Sequence, residues 1–515
     1  MNILGVSGQM IDIEASLLPG LYKFAIVGLA DKSINEARER VTSALVNSSF
    51  GLPYGNLTVN LSPAYVEKRG TSFDLPIALS LLLCTNKNAQ IKLDLKETIV
   101  IGELSLDGKL MKVNSCSAML IEARAAGFKN VILPIDNYAE TNWIKGIQQF
   151  PIETLSEAWQ VIESGQGIKA NNEKVLAAQL ASPPSFDAEL ELDLQLIGNR
   201  PMELEVLTIA AAGGHNMLLD GPPGSGKTTL LHRFHKLLPD LGEEQALEVF
   251  KINSLINGVD IHDCYRPPQR NPHHSISEVA LLGGGSFPQP GEISLAHHGV
   301  LGLDEISEFS QASLEGLRQP LVDNLINISR AKYKVTFPAR FQLIASRNPC
   351  PCGWYGEPLT QCTCTQAQVK SYQGRLSGAI LDRIDIKFRV EYIKSYNPTK
   401  GVSTGARDNL AKALTQIKLA RARQAERYKE INIKEHKIYL TNNDYNNPFD
   451  WSLFVLRKSA SKLLKDFYRE KKLTLRGVFK VGKLARTMAD LESETMVSAE
   501  KVYRAFLFNS ANNKI

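Results

Sequence analysis

The stretch Gly221-Pro-Pro-Gly-Ser-Gly-Lys-Thr228 constrains the fold of this chain more than any other. It fits the pattern G-x-x-x-x-G-K-[ST]. The apolar run Met217-Leu-Leu219 before it reads as a buried strand, and Leu230-Leu231 opens a helix. A strand, a glycine-rich turn and a helix make a phosphate-binding loop, because glycines let backbone N–H groups close around phosphate oxygens. Gly221, Pro222, Pro223, Gly224, Ser225, Gly226, Lys227, Thr228 and Thr229 are therefore the expected nucleotide contacts. Lys227 would reach the β- and γ-phosphates of ATP, and the Thr228 hydroxyl would hold Mg²⁺. A second half of such a site follows at Gly299-Val-Leu-Gly-Leu-Asp304-Glu305. An apolar run ending in two acids presents carboxylates at the C-terminal edge of a sheet, where α/β folds bind ligands. Asp304 would complete the Mg²⁺ site, and Glu305 would orient the attacking water.

A chain of 515 residues suggests roughly three domains. With 43% apolar and 22% charged residues it has the composition of a globular protein. No apolar run reaches the length of a membrane span, and the first residues lack the pattern of a secretory signal. A cytoplasmic location and no membrane partner are expected. A formal charge of +5 is compatible with a polyanionic partner without requiring one.

Further features carry chemistry. The strand expected at Ala339–Ala345 ends at Asn348, a polar side chain placed to polarise the attacking water. Cys350, Cys352, Cys362 and Cys364 follow as two C-x-C pairs, a set that can close one tetrahedral zinc site or remain as free thiols. The sequence Asp382-Arg383-Ile-Asp385 would put Arg383 on a subunit surface, within reach of a neighbour's γ-phosphate, and Arg476 could reach the γ-phosphate of its own subunit. Asn327 to Phe337 reads as a hairpin with a basic turn. Arg330, Lys332 and Lys334 alternate and would share one face unless the turn intervenes, a DNA-binding candidate. The glycine-rich run from Gly283 to Gly291 reads as an irregular loop. A dense set of basic residues from Arg457 to Arg486 reads as either a nucleic-acid surface or a solvated face.

The expected architecture is α/β: an N-terminal α+β domain (1–165), a linker (166–188), a P-loop ATPase core with the cysteine cluster (189–395) and a C-terminal helical lid (396–515), with residues 395–407 loop-like. The first domain resembles the proteolytic domain of Lon-type proteases. Gly70-Thr-Ser72-Phe-Asp74 falls on the Lon nucleophile motif, and Ser117 stands where Lon has its catalytic lysine. The resemblance implies a Lon-like domain with a broken dyad.

Over nearly its whole length the chain resembles the ComM/YifB group of magnesium-chelatase-like AAA+ ATPases. The resemblance rests on Ala210-Ala-Ala-Gly-Gly-His-Asn216, Leu317-Arg-Gln-Pro-Leu321, Asn348-Pro-Cys-Pro-Cys-Gly353, Leu381-Asp-Arg-Ile-Asp385 and Ala485-Arg-Thr-Met-Ala-Asp490. It implies a homo-hexameric, ATP-driven DNA motor acting on single-stranded and branched DNA during natural transformation, alongside recombination proteins. The chain departs from the group at Gly302, where a bulky residue is usual, at residues 267–271, and at Val322. The alternative reading is a chelatase-type subunit that drives metal insertion or remodels a protein partner.

Overall fold

The structure is a computed structural model. It describes residues 1–28, 32–52, 54–65, 67–68, 70–167, 200–256, 261–330, 334–358, 360–392, 404–435, 439–445, 447, 450–470 and 472–510. Most of the expected linker and Lys332 of the basic turn lie outside them. The chain divides into two compact units. One comprises residues 1–184, 246–264 and 331–336, and the other comprises the remainder.

The first unit is α+β. Asn56–Ser62 pairs antiparallel with Asp12–Leu18 and parallel with Lys23–Val27. Its side chains alternate, so Leu57, Val59 and Leu61 turn inward, as a period of two requires. A second sheet, Gln148–Ile152, Asn130–Pro134 and Thr98–Val100, is parallel throughout. The helix Asp74–Thr85 is apolar on nearly all sides and buries Leu75, Ile77, Leu79 and Leu81. Asp74, the last residue of the Lon-like motif, has structural partners. It is fully buried and takes two bonds from Arg40, at 2.6 and 3.0 Å. Ser72 is buried. Ser117 lies in the first turn of Cys116–Ala125 and donates to the Glu140 carbonyl at 3.2 Å. Lys109 pairs with Asp107 and Lys112 with Glu140.

The second unit is built on a five-stranded parallel sheet. Its order is Gln269–Arg270, Val300–Leu303, Gln342–Arg347, Met217–Asp220, Ile386–Arg389. Every residue of Val300–Leu303 is buried, the near-continuous apolar pattern of a strand covered on both faces. The departure at Gly302 has a packing cause: a methyl group there would stand 2.1 Å from Asn271 Oδ1 and 2.6 Å from Leu231 Cδ2.

The C-terminal helices pack directly on the sheet. Leu410, Ile417, Leu464, Leu484 and Phe508 share one continuous core with Leu219, Ile344 and Ile386 of the sheet. The long helix Thr404–Glu435 begins inside the segment expected to be loop. Two short helices follow the acidic strand, Gln311–Gly316 and Pro320–Asp323. Ser310 caps the first by accepting from Ser313 N–H at 3.1 Å, and Pro320 opens the second, the position that tolerates a missing N–H.

The glycine run is also more regular than expected. Gly283–Gly284 pairs antiparallel with Gln289–Pro290. Gly283 has φ +99°, and a Cβ there would be 2.6 Å from the Gln289 carbonyl, so only glycine permits this approach. Leu325–Ser329 and Lys334–Pro338 form the expected hairpin. Arg330 follows the first strand and Lys334 opens the second, so the turn intervenes. The period-two argument for one shared basic face does not hold. Both residues are exposed.

Candidate active site

The phosphate-binding loop leaves the C-terminal end of Met217–Asp220. That strand lies between Gln342–Arg347 and Ile386–Arg389, where the order of the sheet reverses and ligands bind. Gly224 and Gly226 adopt φ of +74° and +88°, the left-handed region that glycine enters freely. Gly221 touches the Val390 carbonyl so closely that a Cβ would be 2.4 Å from it. Asp220 accepts two bonds from Arg347, at 2.9 and 2.6 Å, which ties the ends of the two central strands together.

Lys227 opens the helix Lys227–Arg233 and turns back under the loop. Its ammonium donates to the carbonyls of Gly221 and Pro222 at 2.7 Å each, and to Asn348 Oδ1 at 3.3 Å. Burial pushes its pKa down, and the nearby carboxylates Asp220, Asp304 and Glu305 oppose that shift. A buried cation held only by neutral carbonyls and an amide suits an incoming anion. Triphosphate oxygens fit that requirement.

The Thr228 hydroxyl donates to Asp304 Oδ2 at 2.9 Å. These two residues would hold Mg²⁺, which would supply charge neutralisation to the phosphates. Glu305 is exposed and sits at φ +50°, ψ +50°, an uncommon conformation for a non-glycine residue. Ser346 holds this elbow. Its fully buried hydroxyl donates to Asp304 Oδ1 and accepts the Glu305 N–H at 3.1 Å. Pro222 and Ser225 are buried under the loop, whereas Pro223, Gly224 and Thr229 are exposed. Arg200 donates to the Ser225 carbonyl at 3.0 Å and pairs with Glu203 at 2.8 Å.

Arg383 and Arg476 do not join this group. Ile386–Arg389 runs parallel to Met217–Asp220 with Met217 opposite Ile386 and Asp220 opposite Arg389. Arg383 precedes that strand, and the phosphate loop follows the other, so about 10 Å of strand lies between the two levels. Arg476 pairs with Asp382 at 2.5 Å. Arg476, expected to reach its own subunit's γ-phosphate, thus stands beside Asp382 and Arg383. There Arg340, Arg383, Arg476, Lys480 and Lys483 line a cavity of about 590 Å³. Burial, then Arg476 and Arg318, lower the Arg383 pKa, and its Nε is buried without a partner.

The four cysteines come together. Sγ–Sγ distances are 3.4 Å for Cys350–Cys352, 3.6 Å for Cys350–Cys362 and 3.5 Å for Cys352–Cys362, and Cys364 completes a set within 4.8 Å. A zinc ion with Zn–S bonds of about 2.3 Å has tetrahedral edges of about 3.8 Å, so the set fits one ion. Among these interacting thiols Cys352 is shifted down, chiefly by the Trp354 N–H, whereas Cys362 and Cys364 are shifted up.

Three family models match the chain in series. "Subunit ChlI of Mg-chelatase" covers residues 13–137, "Magnesium chelatase, subunit ChlI" covers 193–397, and "Magnesium chelatase, subunit ChlI C-terminal" covers 409–509. The uncharacterized protein YifB of Salmonella typhimurium is 36% identical over 512 residues, spanning 98% of this chain and 95% of that protein. The chain belongs to the YifB/ComM family. The competence protein ComM of Haemophilus influenzae is 36% identical over 502 residues, covering 96% of this chain and 93% of ComM. Lon protease 3 of Sorangium cellulosum matches 143 residues at 28% identity, 27% of this chain and 17% of that protease. The YifB/ComM-family core and its phosphate loop point to an ATPase. Among the described residues no helix is long and apolar enough to cross a membrane.

Two contributors to this YifB/ComM-family site escaped the sequence reading. Ser346 carries no motif signal, although its place beside the acidic strand follows once strand order is known. Arg200 sits at the start of Pro201–Gly213, 25 residues before the carbonyl it binds. His215, by contrast, is a core residue: it is fully buried and bonded to Thr487 at 2.8 Å.

Proposed function

We propose that this protein is a cytoplasmic, homo-hexameric ATPase that uses ATP hydrolysis to drive branch migration and unwinding of branched DNA in homologous recombination during natural transformation. The observation that carries the reading is the division of the nucleotide machinery between two edges of one sheet. Lys227, Thr228, Asp304, Glu305 and Asn348 gather at one edge, and Arg383 and Arg476 stand at the other. A ring in which each subunit offers both arginines to its neighbour's pocket would join them. Mg²⁺ held by Thr228 and Asp304 would neutralise phosphate charge, Glu305 would take a proton from the attacking water, and Asn348 would help orient it. The arginines would stabilise charge developing on the γ-phosphate.

The printed name of the Haemophilus relative, a competence protein, supports a role with incoming DNA. Arg330 and Lys334 of the basic hairpin, together with Lys332 of the sequence between them, would track the phosphate backbone without reading bases. Lys462, Lys465 and Arg469 form an exposed stripe on Lys458–Arg469, a second candidate DNA contact. Lys480, Lys483 and Arg486 are buried and take no part in such a surface. The four cysteines would hold one structural Zn²⁺. The test compares ATPase rates of the purified hexamer without DNA, with single strands and with four-way junctions. Stimulation is expected to be strongest with junctions. Equal rates in all three conditions would refute the reading.

A further inference from the structure

The loop that carries the cysteines has almost no regular secondary structure between Cys350 and Cys364. It has few backbone ladders to hold it. It nevertheless meets the nucleotide pocket at three points. At its root, Asn348 is two residues from Cys350 and accepts from Lys227 at 3.3 Å. In its middle, Gly353, at φ +84°, lies against the phosphate loop itself: a Cβ there would be 2.5 Å from Pro223 Cδ. At its far side, Glu357 pairs with Arg389 at 2.6 Å. Arg389 is followed by Val390, whose carbonyl abuts Gly221. The helix that follows the loop adds a brace, since Gln373 donates to the Pro349 carbonyl at 3.1 Å.

We propose that the metal held by Cys350, Cys352, Cys362 and Cys364 acts as a clamp on the phosphate loop, so that occupancy of the thiolate site sets the affinity for nucleotide. With the four sulfurs bound to one ion, the loop is closed on itself. Gly353 is then held against Pro223, and Asn348 is held where Lys227 meets it. Without the ion the sulfurs have only weak mutual contacts, and the chain between Cys352 and Cys362 gains the freedom of an open loop. Pro223 and Asn348 lose their support together. The inference rests on the proposed reading of residues 221–228 as an ATP site and of the cysteines as a zinc site. It adds that the two act as one device.

The test uses the full chain. Zinc content is measured by elemental analysis, and ATP affinity by titration with a fluorescent ATP analogue in excess Mg²⁺. Both are measured before and after treatment with a chelator that spares Mg²⁺, and again after zinc is restored. The expected result is about one zinc per chain, as one four-thiolate site requires. Stripping should weaken nucleotide binding by about tenfold or more, and added zinc should reverse the loss. A second variant covers the case in which stripped protein unfolds. Gly353→Ala leaves all four thiols in place but forces a methyl group into Pro223. It should keep its zinc and still bind nucleotide about tenfold more weakly. Zinc present before treatment, with nucleotide affinity unchanged both after stripping and in zinc-loaded Gly353→Ala, would overturn the clamp and leave the zinc site standing. Absence of bound metal would overturn the zinc reading itself.

Discussion

Replacing Ser346 with alanine removes one buried hydroxyl and breaks two bonds. The hydroxyl donates to Asp304 Oδ1 and accepts the Glu305 N–H at 3.1 Å. A hydrogen bond to a charged group contributes about 1.5–3 kcal/mol, and an orphaned N–H costs a comparable amount when buried. Glu305 is exposed, so water can satisfy part of its loss, and the Asp304 bond dominates. If that loss appears at the transition state, kcat should fall about 10- to 100-fold, since about 1.4 kcal/mol is tenfold in rate. Lys227 and the loop carbonyls are untouched, so ATP should bind nearly as before. Ser346→Thr keeps the hydroxyl on a β-branched residue suited to a strand and should recover most of the rate. The assay is steady-state ATP hydrolysis paired with nucleotide titration, with thermal melting to check that folding is intact. A Ser346→Ala enzyme that binds ATP and turns over within twofold of the parent would refute the reasoning about this elbow.

Three other outcomes follow from the same geometry. Lys227→Ala should abolish nucleotide binding, whereas Glu305→Gln should bind MgATP and fail to hydrolyse it. Nucleotide titration and phosphate release separate the two. Mixing Arg383→Ala subunits with Lys227→Ala subunits should restore part of the ATPase activity, because some interfaces then pair an intact pocket with an intact arginine. No rescue at any ratio in confirmed hexamers would rule out action across the interface. Burial lowers the His215 pKa from 6.5 to about 4, so the unfolded chain binds the proton first as pH falls. Stability contributed by neutral His215 is present above pH 6.5 and lost between 6.5 and about 4, with an upper limit of about 3 kcal/mol. Urea melts across that window should show the loss in the parent and a smaller slope in His215→Gln.

The parts of the site that could be read from sequence are those whose backbone chemistry is local. Gly224 and Gly226 announce a loop at positive φ, and the apolar strand before Asp304 announces a buried ladder. The parts that could not be read depend on contacts between distant residues. Ser346 looks like any serine until its strand is placed beside Val300–Leu303. Arg476, Lys480, Lys483 and Arg486 look like one solvated charge run. Three of them are buried instead, because Asp382, Asn443 and Asp490 stand ready to receive them. The same long-range pairing put Arg476 beside Asp382 and away from its own phosphate loop. The packing of the C-terminal helices was hidden for a related reason: amphipathic helices show which face is apolar, but not that the sheet would share its core with them.

The most direct measurement follows a mobile four-way DNA junction incubated with the purified protein and ATP. The account predicts that the parent protein converts the junction to its migrated duplex products in an ATP-dependent way, and that Glu305→Gln assembles on the junction without converting it. A parent protein that hydrolyses ATP but leaves the junction unchanged would contradict the account.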